Sequence, residues 1–195
     1  MRRALAPTFA LAMISLFAPS LAGPGLVGQA SAQEQPQAYV QRMMGEMVAI
    51  SKKATAERRG YYVKLLSEDI DWTTPARRAL GQRFEALAAA ERAKLADWSR
   101  QSVIGTQSVM EFLQNMIFSS CAVASRSSEG ERASYRIQCQ RFGGEPPFQA
   151  RFELAPRDGK LKIVDVGYVG VSLSEELAKE IVKPDAVAEH GVKWD

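Results

Sequence analysis

Histidine and cysteine are nearly missing from this chain, with one His and two Cys among 195 residues. Zinc sites and iron–sulfur clusters need about four such ligands, so most of them are excluded. No glycine-rich phosphate loop with its lysine, no dinucleotide fingerprint and no His/acid cluster suited to a metal is present. Gly170-Val171-Ser172-Leu173-Ser174 begins like a nucleophile elbow but lacks the closing glycine, and the lone His190 follows a proline in the tail. Neither sign of charge dominates, at 25 Lys and Arg against 22 Asp and Glu, which speaks against a nucleic-acid partner. With 14 Gly, 9 Pro and 46% apolar residues, the chain is neither collagen-like nor a disordered acidic one. Its length suits one domain burying roughly 70% of its unfolded surface. The composition favours binding over chemistry, with no enzyme activity and no cofactor expected.

Long apolar runs are confined to the N-terminus. Arg2 and Arg3 precede a short apolar stretch from Ala4 to Ala18, and small residues follow, ending in Ala30-Ser31-Ala32. Residues 1–32 therefore read as a secretory signal cleaved before Gln33, with Ser20-Leu21-Ala22 as an earlier alternative site. The run is short for the ~20 residues a membrane span needs. Cleavage removes two arginines and no acids, bringing the formal charge from +3 to +1. Residues 33–183 form the expected domain and 184–195 a polar tail.

The N-terminal half reads as helical. Val40, Met43, Met44, Met47, Ile50 and Ala54 recur at three-to-four spacing, either as a core face or as an adaptable lipid-facing stripe. Tyr61, Tyr62, Leu65 and Leu66 mark a second helix. Glu68-Asp69-Ile70-Asp71 reads as a solvated turn, or as paired carboxylates fit for acid–base work. Thr74-Pro75 reads as an N-cap followed by proline at the first helical position, opening a stripe through Ala76, Leu80, Phe84 and Leu87. A helix junction is expected near Ala88-Ala89-Ala90-Glu91, and a last helix broken at Gly105 leads into strands.

The C-terminal half changes to period two. Ile117–Ala124 and Ala133–Arg141 read as antiparallel strands, and a loop centred on Gly130 sets Cys121 opposite Cys139, within reach of a disulfide. Two buried thiols are the alternative. Phe148 to Leu154 alternates cleanly, Asp158-Gly159 supplies a type I′ turn, and Leu161 to Val164 returns. A two-residue loop sets Leu154 against Ile163 and Phe152 against Asp165. One sheet face then carries Phe148, Ala150, Phe152, Leu154, Leu161 and Ile163, with Val169 and Val171 beyond them. Asp165 lands on that apolar face, as a functional group or as a carboxylate satisfied by backbone N–H groups. Ser172 to Glu175 reads as a capping box opening a final helix. The expected fold class is α+β, an N-terminal helical layer on a C-terminal antiparallel β-sheet.

Gly159-Lys-Leu-Lys-Ile-Val-Asp165-Val-Gly-Tyr-Val-Gly170-Val-Ser172-Leu173 resembles the closing strand–helix element of the MlaC-like family, periplasmic phospholipid-binding components of the Mla (toluene-tolerance) ABC transport system. Asp69-Ile-Asp71, Ala79-Leu80-Gly81-Gln-Arg-Phe84 and Glu91-Arg-Ala-Lys-Leu95 are similar to its helical half. The resemblance spans Val40 to Val182; the cysteine pair and the final helix cut short at Pro184 depart from it. It implies a periplasmic carrier of phospholipid or a related lipid, working between an inner-membrane ABC transporter complex and an outer-membrane lipoprotein complex. It also implies acyl chains held between helices and sheet. Leu80, Phe84, Leu87, Phe148, Phe152, Ile163, Tyr168 and Val171 are the residues we expect to line that space. Arg77, Arg78, Arg83 and Arg92 are candidates for docking or a solvated helix face, and the helix start at Ser172 for a phosphate or a plain cap. Two other readings stay open: a cone-shaped α+β domain with a polar small-ligand site around Asp165, and an adaptor whose apolar faces are all consumed by its core.

Overall fold

The computed structural model describes residues 34–183. The segment read as an export signal and the tail with His190 lie outside the described residues. Helix α1 (Pro36–Ile50) opens with proline at its first position, where the missing N–H costs nothing. It buries Tyr39, Val40, Met43, Met44 and Met47 on one face. The helix stops at Ser51, short of Ala54. The Ser51 hydroxyl donates to the Met47 carbonyl at 2.7 Å and accepts from the Phe118 N–H at 2.9 Å, joining the helix end to the first strand.

Helix α2 (Thr55–Glu68) is followed by α3 (Thr73–Leu80), α4 (Gln82–Ala86), α5 (Ala89–Ile104) and α6 (Gln107–Asn115). The expected single helix from Thr74 through Leu87 is broken at Gly81, whose φ of +55° suits glycine and takes the chain out of the helical path. Nor is Thr74 the cap. The helix begins one residue earlier, and the Asp71 carboxylate takes that role, accepting from the Thr73 N–H at 3.0 Å and the Thr74 hydroxyl at 2.9 Å. The junction near Ala88 falls as expected, with Glu91 Oε2 accepting from the Ala88 N–H at 2.9 Å. Gly105 ends α5.

Five antiparallel strands follow in sequence order across one sheet: β1 (Phe118–Glu129), β2 (Arg132–Arg141), β3 (Phe148–Arg157), β4 (Lys160–Tyr168) and β5 (Val171–Ser172), before helix α7 (Leu173–Ile181). The fold is α+β, as expected. Cys121 pairs with Cys139 and the two form a disulfide, with Cα atoms 4.0 Å apart. The pairing arises differently from the simple expectation. The hairpin turns between Gly130 and Glu131, and an irregularity between Val123 and Ser125 moves the register by one, which restores Cys121 to Cys139.

A similar irregularity in β4 has the larger effect. Leu154 faces Ile163 as expected, but Glu153 faces Asp165 and Phe152 faces Val166, leaving Val164 as the extra residue. Asp165 is thereby turned off the apolar face. The free side of β4 is covered at one end by β5 and at the other by the α2–α3 connection. Ile163 donates to the Asp69 carbonyl and accepts from the Asp71 N–H, both at 2.8 Å.

Asp71 is no solvated turn residue. Its carboxylate also meets Arg157 Nε at 2.9 Å, tying the helical layer to β3. Burial alone would push this carboxyl up, but the Thr73, Arg157 and Thr74 donors outweigh it and hold it below its ordinary value of 3.8. A depressed carboxyl stabilises the fold above its unfolded pKa and loses that contribution as pH falls through the folded value. We therefore expect Asp71→Asn to cost ~1.5–3 kcal/mol at neutral pH. Between about pH 4 and pH 2 its stability should fall less steeply than that of the wild type, as read by urea unfolding at each pH.

Candidate functional site

Three apolar clusters divide the interior. Helix α1 packs on the inner face of the sheet, burying Met43, Met44, Ile137, Cys139 and Leu154. Tyr62, Leu66, Trp72, Val103, Met110 and Leu177 form a second cluster among α2, α5, α6 and α7. Ala76, Phe84, Leu95 and Ile181 form a third, with Leu80 and Leu87 against it.

Between the sheet and the second cluster lies a chamber of about 500 Å³. Its sheet wall is Phe148, Ala150 and Phe152 from β3, with Ile163, Val166 and Tyr168 from β4. The opposite wall is Tyr62, Leu65 and Leu66 of α2, with Val109, Phe112 and Leu113 of α6. Met47, Ile70, Val103 and Met116 close it. No charged residue lines it. Its size falls within the ordinary range for small-molecule sites.

The mouth is marked by exposure. Phe112 is 43% exposed, Tyr168 41%, Val171 52% and Val169 79%. Val169 and Gly170 form the β4–β5 turn with φ of +50° and +78°, a conformation that suits Gly170 but strains a β-branched valine. Aromatic rings run from the core to this rim. Phe118 lies 5.4 Å from Phe148, Phe148 stacks on Tyr168 at 5.1 Å, and Tyr168 meets Phe112 at 5.5 Å. Tyr62, one of the lining residues, carries a buried hydroxyl without a hydrogen-bond partner and is only 2% exposed. Burial pushes this phenol up to about 12, against a smaller opposing effect of Arg58.

Phe148, Phe152, Ile163, Tyr168 and Val171 thus border one space. Leu80, Phe84 and Leu87 do not; the break at Gly81 turns Phe84 into the third cluster, where the Arg77 and Arg92 guanidinium groups lie 5.0 and 5.9 Å from its ring centre. Glu85 pairs with both arginines at 3.0 and 3.7 Å, whereas Arg83 is exposed. Met47 alone of the α1 methionines borders the chamber; Met43 and Met44 are plain core. Period-four spacing in α2 and α6 marked these helices as apolar, but nothing in it told a wall from a core contact.

Asp165, 4% exposed, lies outside the chamber. It accepts from the Ser172 hydroxyl at 2.6 Å and the Ser174 N–H at 3.0 Å, with Arg151 at 3.6 Å and Arg78 at 3.9 Å. The void beside it is about 10 Å³, room for at most one water. The Glu175 N–H goes to the Ser172 hydroxyl at 3.2 Å, so the start of α7 is a satisfied cap with its first donors already used. Among the described residues, no group of three His, Cys, Asp or Glu side chains could hold a metal. No helix among them is long and apolar enough to cross a membrane.

Comparison with known proteins gives a consistent result. The model of the family described as MlaC protein matches residues 37–183. A solved structure of a phospholipid-binding protein from Ralstonia solanacearum, in complex with a phospholipid, superposes with a TM-score of 0.58 at 17% identity. The match covers 80% of this chain and 88% of that one. No curated protein matches the sequence.

Two substitutions separate frame from chamber. Phe84→Ala should cost about 3–5 kcal/mol in urea unfolding, by opening a void in the third cluster. Tyr62→Phe removes a buried hydroxyl that has no partner, so we expect its urea midpoint to equal or exceed that of the wild type.

Proposed function

The chain belongs to the MlaC family, and on that premise we propose that it is a non-enzymatic lipid carrier whose chamber takes the acyl chains of a phospholipid or related lipid. The observation that carries this reading is a chamber with no charged lining residue that opens through an exposed apolar rim. A lipid tail in water costs ~0.8 kcal/mol per CH₂, so ten buried methylenes contribute about 8 kcal/mol before ordering costs. General acid–base chemistry works best with a group whose pKa lies near neutrality; no carboxylate, lysine or histidine lines the chamber, and burial moves the Tyr62 phenol further from that range. The Ralstonia protein, solved with phospholipid bound, has the same fold and adds support.

The wider reading is part of the same proposal, the export signal resting on the sequence of residues 1–32 and the rest supported by the family match over residues 37–183. Residues 1–32 act as an export signal cleaved before Gln33, residues 33–183 are the carrier domain, and the protein works in the periplasm. It shuttles lipid between an outer-membrane lipoprotein complex and an inner-membrane ABC transporter complex. The small-ligand alternative needed a polar pocket at Asp165, where the void is about 10 Å³. The adaptor alternative needed every apolar face to be consumed, which the chamber argues against.

The test is native mass spectrometry of the chain purified from a bacterial periplasm, followed by solvent extraction. We expect a stoichiometric adduct of phospholipid mass that extraction releases. A bare protein mass that persists after incubation with phospholipid vesicles would overturn the proposal. Val166→Trp, which fills the chamber from β4, should lower adduct occupancy at least about tenfold while circular dichroism shows the fold retained.

A further inference from the structure

The outer face of the sheet carries a row that the carrier reading does not use. Ser125, Arg136, Arg151, Gly167 and Ser172 stand side by side across all five strands. Arg136 and Arg151 are therefore direct cross-strand partners, an arrangement that like charges disfavour. Their surroundings differ. Arg151 reaches Glu153 at 3.4 Å and Asp165 at 3.6 Å, and lies over Gly167, where a Cβ would sit 3.3 Å from its Nε. No carboxylate among the described residues pairs with Arg136, which leaves an uncompensated guanidinium beside one that two carboxylates hold in place.

Both arginines line an open groove of about 430 Å³ together with Gln149. The groove adjoins the chamber's mouth: Ala150, Tyr168, Val169 and Val171 border both spaces. A phospholipid carries its phosphate one glycerol away from its tails. A lipid with tails behind Tyr168 can therefore set its phosphate only a short way beyond the β4–β5 turn. Guanidinium groups bind phosphate oxygens through paired N–H donors, and two of them side by side favour a net negative head group over a zwitterionic one.

Resting on the carrier reading, we propose that Arg136 and Arg151 form a phosphate-binding site at the chamber's mouth, filled by the lipid head group and selecting anionic over zwitterionic lipids.

The experiment reloads delipidated protein, purified from the bacterial periplasm, from vesicles of equal parts phosphatidylglycerol and phosphatidylethanolamine with matched acyl chains. Native mass spectrometry reads the ratio bound. We expect the wild type to enrich phosphatidylglycerol about three- to fivefold, and Arg136→Gln to bring the ratio close to one. Arg136 is exposed and holds no structural bond, so this variant should fold. Equal loading by the wild type, or the same enrichment in the variant, would overturn the site and leave the arginine pair to an acidic protein surface. If neither protein takes up lipid, the carrier reading fails, and this proposal with it. A second arm titrates inorganic phosphate into Val166→Trp, following the arginine Nε resonances by NMR. Weak phosphate binding there together with lipid enrichment in the wild type supports the head group as the source. Tight phosphate binding without lipid enrichment assigns the site to free phosphate and overturns the head-group assignment.

Discussion

One extra residue in β4 decides what kind of space this protein encloses. Without Val164 as an insertion, strict alternation would set Asp165 against Phe152, and a carboxylate would stand in the wall of an apolar chamber. A buried, unpaired carboxylate carries a large desolvation cost and would draw water or a cation into the space. The irregularity moves Asp165 to the other face, where the Ser172 hydroxyl and Ser174 N–H receive it. The bond network that removes the charge from the interior is also the one that fixes α7 to the sheet. Chamber chemistry and tertiary anchoring thus share one residue.

The remaining anchors follow the same division. The disulfide lies in the β1–β2 pair, the Asp71–Arg157 contact joins the α2–α3 connection to β3, and Ser51 joins α1 to β1. None of these residues lines the chamber. A side chain bordering a void has packing partners on one side only and forfeits part of its dispersion energy. A wall of that kind holds its shape when covalent, ionic and close-packed contacts elsewhere fix the elements that carry it. The third cluster around Phe84 serves that purpose, locking α3, α4, α5 and α7 together away from the space.

Much of this was legible in the sequence, and the failures have physical causes. Period-two alternation and the Asp158-Gly159 turn placed β3 and β4, and the two strand-like runs on either side of Gly130 placed the β1–β2 pair, because these signals are local. The insertion at Val164 was invisible, since nothing in Ile163-Val164-Asp165 says which residue loses its partner. The Leu80, Phe84 and Leu87 stripe presumed one continuous helix, and Gly81 was the available sign that the stripe would be cut. Asp71 looked like a solvated turn because its partner, Arg157, is 86 residues away. Chamber and core could not be told apart, since hydrophobicity reports only removal from water.

The rim follows a different rule from the interior. Asp-Gly at the β3–β4 turn is the ordinary solution for two residues with positive φ, and the chain uses it where nothing else is asked. At the β4–β5 turn the same backbone form carries Val169-Gly170 instead, with the valine the most exposed large apolar residue described. Asparagine or aspartate at that position would relieve the strain but would bring a polar group to the lip of the chamber. A valine there keeps the apolar surface continuous from Phe148 through Tyr168 to the outside, at a backbone cost of about 1–3 kcal/mol. On the carrier proposal, a tail leaving the chamber would then meet no polar step, so the barrier to its exit would come from water rather than from the wall.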